Sequence, residues 1–137
     1  MSGFDNVAID AAIQIRETGA LPHAAWEDSA KRLLPSRDLQ EKGCPKASFL
    51  GLCAAGLIRD VPGGHLNGAM ESQNAQYAIA AVKILRLVGS ASEIDEKLLW
   101  TKALKLAKGK EGTSHNQQMN VVLGLARANL LNGIVSS

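Results

Sequence analysis

Phe49-Leu50-Gly51-Leu52-Cys53-Ala54-Ala55-Gly56-Leu57-Ile58 lines up without a gap against Val122-Leu123-Gly124-Leu125-Ala126-Arg127-Ala128-Asn129-Leu130-Leu131, 73 residues further on. Five of the ten pairs are identical. Gly56 faces Asn129 in this register, and both residues tolerate the left-handed conformation that ends a helix. The match spreads outward. Ala8-Ile9-Asp10-Ala11 meets Ala78-Ile79-Ala80-Ala81 at an offset of 70, and Ile15 then meets Leu85. Trp26, Ala30 and Leu33 meet Trp100, Leu104 and Ala107 at an offset of 74. In each case the Trp opens an i, i+4, i+7 stripe, the mark of a helix buried along one side. The expected fold is therefore all-α: one compact domain of six main helices, built as two related trihelical halves. The halves are residues 5–61 and 75–135, with a linker at 62–74 that holds Pro62, Gly63 and Gly64.

Local signals place the helices. The first is expected over 6–17, with Asp5 as N-cap and Gly19 as stop. Pro22 suits a first helical position, and the second helix ends before Pro35. One short turn is expected within 36–43. The third helix runs from Pro45 to a stop at Gly56, and the second half repeats the plan over 75–88, 93–108 and 115–131. Ser92 and Ser114 are the expected caps of the last two. The third helix of each half is apolar on every side, which marks a helix enclosed by others. Glycine inside a helix costs about 1 kcal/mol relative to alanine, so Gly51 and Gly124 at matching positions call for a packing reason. The expectation is that the two third helices cross at these glycines.

Composition narrows the function. With 137 residues, 46% of them hydrophobic, the chain can bury one real core. Phe, Trp and Tyr together number five, so aliphatic side chains and alanine must fill it. Residues 1–10 carry two aspartates and no apolar run, against a secretory signal. The uncharged stretch 47–58 is about half of what a membrane span needs, so no membrane partner is expected. Cys44 and Cys53 stand too far apart on one helix to bridge, which points to reduced thiols and a cytoplasmic address. Net charge is +2, with the excess in Lys97, Lys102, Lys105, Lys108 and Lys110, read as a solvated helix face.

Three chemistries compete for the remaining residues. Cys44 sits at a helix N-terminus, where amide dipoles favour a thiolate, and His115 opens the equivalent helix of the other half. Together, with Asn116 as orienter, they would suit a cysteine-dependent enzyme, although no carboxylate is placed to complete the set. Metal and cofactors are not expected. His23, His65 and His115 are scattered, and Pro62-Gly63-Gly64-His65 lacks the ending of a phosphate loop. A DNA-binding protein with a winged-helix-like half would use Lys46, Arg59 and the lysines from Lys97 onward. Against it, the connector after the second helix exceeds the turn of about 3–4 residues in a helix-turn-helix. The third helix also offers alanine and glycine where base-reading side chains belong.

Gly43-Cys44-Pro45-Lys46, then Phe49-Leu50-Gly51-Leu52-Cys53 and Gly56-Leu57-Ile58, with His115-Asn116 ahead of Met119 and Val121-Val122-Leu123, resembles a family of small bacterial proteins of unknown function. The resemblance covers most of the chain. It implies a bacterial, soluble, single-domain protein and assigns no activity, substrate or catalytic residue. The expected role is a non-catalytic binding or assembly module, with a protein partner or a second copy of the chain. The candidate binding residues are Lys46, Asn116 and Arg59. DNA binding through Lys46, Arg59 and the lysines from Lys97 onward stands second, and catalysis by Cys44 and His115 third. Trp26, Trp100, Gly51 and Gly124 are the expected packing residues.

Overall fold

The computed structural model describes residues 3–64, 68–88, 94–110, 112–115 and 117–134. Its helices are α1 (Phe4–Thr18), α2 (Pro22–Leu33), a four-residue α3 (Arg37–Gln40), α4 (Gly43–Ala54), α5 (Gln73–Val88), α6 (Glu96–Leu106) and α7 (Gln118–Arg127). A single 3-10 turn, Ala69–Glu71, precedes α5. The protein is compact and all-helical; no strand occurs among the described residues. No helix there is long and apolar enough to cross a membrane. α1 lies against α2 and α7, α4 against α5, and α5 against α6 and α7.

Helix boundaries follow local chemistry, with three departures from expectation. Pro22 opens α2 as its fixed φ allows, and Ser36 Oγ accepts from Leu39 N to cap the short α3. α1 begins one residue before Asp5, behind Gly3 at φ 92°, so Asp5 lies in the first turn and is not the cap. There its charge still faces the helix dipole favourably. Asp95 caps α6 by accepting from Leu98 N at 2.7 Å; Ser92, the expected cap, lies outside the described residues. Ser114 does not cap α7 either, because the imidazole of His115 takes that place.

The core is as aliphatic as the composition requires. α4 is largely buried, through Pro45, Ser48, Phe49, Gly51, Leu52, Cys53 and Ala54, with Gly43 exposed and Lys46, Ala47 and Leu50 partly so. Trp26 packs on Phe49 with ring centroids 5.2 Å apart, and Trp100 meets Tyr77 edge-on at 5.0 Å. In α2 the buried stripe ends differently from the one expected. Leu33 is 43% exposed, and Leu34, just past the helix, turns inward in its place.

Gly51 and Gly124 are packing residues, but not against each other. A Cβ on Gly51 would overlap the Ala75 methyl and stand 2.9 Å from Ala75 Cα, at the start of α5. A Cβ on Gly124 would stand 2.8 Å from Asp5 Cα, at the start of α1. The expected crossing of the third helices at these glycines is therefore corrected. α4 uses Gly51 to let in α5, and α7 uses Gly124 to let in α1.

The chain after α4 and the chain after α7 meet in a single antiparallel bridge, Ile58 to Leu131. Arg59 N donates to Leu130 O at 2.7 Å, and Asn132 N donates to Leu57 O at 2.9 Å. Both approaches begin with the same helix ending. Gly56 (φ 70°) and Asn129 (φ 61°) are left-handed, and Leu57 N and Leu130 N reach back to Leu52 O and Leu125 O. Both leave through a second left-handed residue, Asp60 at φ 64° and Gly133 at φ 81°. Ile58, Leu131, Val61 and Ile134 are all buried beneath this joint.

Candidate functional site

The residues expected to bind or catalyse are mostly held in internal contacts. Lys46 Nζ pairs with Glu27 Oε1 at 2.8 Å, joining α4 to α2. Arg59 folds over the joint between the chain after α4 and the chain after α7, where one guanidinium nitrogen donates to Leu131 O at 3.4 Å and to Asn129 Oδ1 at 3.5 Å, while its Nε is buried without a partner among the described residues. Asn116 lies outside the described residues. Cys44 is half-buried in the first turn of α4, and its carbonyl accepts from Ser48 Oγ at 3.0 Å. Cys53 is enclosed in the core, and burial pushes its thiol up to about 12.

His115 has partners other than the cysteine. Its Nε2 accepts the Met119 amide N–H at 3.0 Å, which satisfies one of the free donors at the start of α7. That bond places the proton on Nδ1, which lies 2.9 Å from Glu96 Oε1. Trp100 covers the ring at a centroid distance of 5.2 Å. Both nitrogens are thereby engaged, and neither is left for the Cys44 thiol.

Burial holds the His115 pKa below the ordinary imidazole value, against the opposing pull of Glu96. The native state thus binds fewer protons here than the unfolded chain does. This contribution to stability is full above the unfolded value of about 6.5 and is lost as pH falls through the lower folded value. Thermal midpoints measured from pH 7 down to pH 5 should fall more steeply for the native protein than for His115→Gln. Parallel curves would exclude His115 as the titrating group.

Glu96 leads to a cleft of about 460 Å³ between the start of α1, the start of α6 and one side of α7. Its polar lining is Asp5, Asp95, Glu96, Asn120 and Arg127; its apolar lining is Ile9, Leu123, Gly124 and Ala128. Gly124 matters here because the absence of a side chain lets Asp5 sit close over α7. Asp5 Oδ1 is buried and has no hydrogen-bond partner among the described residues. An unmet acceptor of this kind costs about 1–3 kcal/mol. Asp95 Oδ1 is committed to the helix cap, Glu96 to His115, and Arg127 donates to Ile94 O at 3.3 Å. Three carboxylates against one guanidinium leave the cleft electronegative. No trio of His, Cys, Asp or Glu among the described residues is arranged to hold a metal ion.

A family model matches residues 1–132, which is nearly the whole chain. The chain belongs to DUF6979, a family of unknown function. No curated protein and no solved structure matches it. Membership of DUF6979 therefore transfers no activity, and function must be argued from the cleft itself.

The cleft is not legible from sequence. Asp5 reads there only as a helix-start residue, Asp95 carries no signal of its own, and 90 residues separate them. His115 does stand out, but the side chain that engages it is Glu96. The one available signal is the pair Asp95-Glu96 opening a helix, which is also what any capped helix shows.

Proposed function

We propose that the protein is a non-catalytic binding module, that its single domain is made of two copies of one trihelical unit, and that one copy's cleft has been specialised for a ligand. One observation carries this reading. Under the sequence offsets of 70, 73 and 74, each polar residue of the cleft corresponds to an apolar one in the other half. Asp5 corresponds to Ala75, Asp95 to Leu21, Glu96 to Pro22, Asn120 to Ala47 and Arg127 to Ala54. The apolar lining, in contrast, is kept: Ile9 corresponds to Ile79, Leu123 to Leu50, Gly124 to Gly51 and Ala128 to Ala55. A scaffold needs the shared apolar set. Asp95, Glu96 and Arg127 also serve the fold through the α6 cap, His115 and Ile94 O, but Asp5 Oδ1 has no partner among the described residues to account for it. The reciprocal fit of Gly51 on Ala75 and Gly124 on Asp5, and the paired bonds about Ile58 and Leu131, support the two-copy reading.

The ligand is a small molecule with a basic nitrogen and a short apolar body. The nitrogen meets the electronegative rim, and an N–H supplies the donor that Asp5 Oδ1 lacks. Two cysteines in the reduced state support a cytoplasmic setting. The cysteine-enzyme and DNA readings have no comparable support, since His115, Lys46 and Arg59 are all held in internal bonds.

Thermal melts with agmatine and phenethylamine, set against succinate and phenylacetate, test the reading. The amines should raise the midpoint and the acids should not. Asp5→Ala should abolish that rise while leaving unliganded stability within about 0.5 kcal/mol, because the lost dipole contact and the removed unmet acceptor oppose each other. Equal shifts from amines and acids, or none from either at millimolar concentration, would refute it.

A further inference from the structure

The ends of α5 and α6 present a surface that neither the core nor the cleft uses. Leu87 is 88% exposed, Val88 56% and Leu106 50%, and with Ile84 they line one shallow depression flanked by Lys102 and Lys105. Lys83 stands one helical turn before Leu87 on the same face, and Lys108 follows Leu106 past the end of α6; both are exposed. Carboxylates are missing from this region of the sequence. None occurs in residues 73–88 or 97–110, against seven Lys and Arg over the same positions. Exposed aliphatic side chains flanked by lysines are what an interfacial membrane anchor needs.

We propose that this face attaches the protein to the surface of an anionic lipid bilayer, with Leu87, Val88 and Leu106 entering the headgroup boundary and the lysines meeting lipid phosphates. Attachment of this kind requires no membrane-spanning helix. Charge complementarity selects this occupant. A second copy docked face to face would set Lys102 and Lys105 against their own images. A protein interface of standard size also takes roughly 800 Å² from each partner, far more than these few side chains supply. A lipid surface needs no matching socket for a leucine that stands clear of its neighbours.

The test is cosedimentation of the whole protein with vesicles. At low salt it should bind phosphatidylcholine vesicles containing phosphatidylglycerol and leave pure phosphatidylcholine vesicles unbound. The double substitution Leu87→Gln, Val88→Gln changes no charge and should weaken binding by about tenfold or more, since each methylene buried in lipid is worth about 0.8 kcal/mol. Lys102→Gln with Lys105→Gln should do likewise and flatten the salt dependence. All four positions are exposed, so the variants should melt as the native protein does. Three results would each overturn the proposal: no binding to anionic vesicles at low salt, binding that survives the Leu87 and Val88 changes, or self-association in solution that those changes abolish.

Discussion

Gly51→Ala and Gly124→Ala should each destabilise the protein by about 1–3 kcal/mol, although alanine is the better helix former. In an open helix the exchange would gain up to about 1 kcal/mol. Here the added carbon would have to occupy space that Ala75 holds in the first case and the Asp5 backbone in the second. Neither obstacle is the mobile end of a long side chain. The helices must separate, and the packing of α4 on α5 or of α7 on α1 loosens along its length. Gly43 supplies the control, since it lies in α4 with nothing within 4 Å of where a Cβ would stand, and Gly43→Ala should be neutral or stabilising. Urea denaturation of the three variants separates these outcomes. If Gly51→Ala or Gly124→Ala gained stability, the close approach would be disproved. The double variant should lose roughly the sum, because the two glycines meet different partners.

Trp26→Ala should cost about 3–5 kcal/mol, a large share of the 5–15 kcal/mol that holds a typical domain together. Trp26 is 1% exposed and stacks at a tilt on Phe49, so truncation opens a cavity at the contact between α2 and α4. Trp26→Phe should cost much less. The indole Nε1 of Trp26 is buried with no acceptor among the described residues, and phenylalanine removes that unmet donor along with the volume. Trp100 is the contrasting case, because its Nε1 donates to Thr113 O at 3.2 Å. Trp100→Phe therefore gives up a made bond. For a chain of this size a loss of 1 kcal/mol moves the thermal midpoint by about 3–5 °C. A Trp26→Ala midpoint within a few degrees of the native one would mean that the site collapses around the gap.

What can be read in the sequence is what local chemistry decides. Gly56 and Asn129 announce a left-handed helix ending because few other residues take that conformation cheaply, and both adopt it. Pro22 marks the start of α2 because its ring fixes φ and its missing N–H costs nothing there. The enclosure of α4 follows from the lack of any polar side on it. What cannot be read depends on which surfaces meet. Gly51 and Gly124 show that something comes close, while the identity of the neighbour depends on how helices far apart in sequence are placed. His115 looks like chemistry and proves to be a cap, since the distinction rests on the Met119 amide and Glu96 being at hand. The cleft needs Asp5, Asp95 and Arg127 from three parts of the chain, and no spacing rule connects them.

The joint at Ile58 and Leu131 also governs when the protein can fold. Leu57 O and Arg59 N find their backbone partners in 130–132, so α1 to α4 remain open along that margin while the ribosome makes the rest. Synthesis at about 5–20 residues per second leaves several seconds in which Ile58 and Val61 are uncovered. Over that interval the nascent chain presents the margin that chaperones and proteases recognise. A stop codon even a few residues before Leu131 would leave every helix encoded and the closing contact missing, so such a product should be cleared by proteolysis rather than accumulate as a shortened fold.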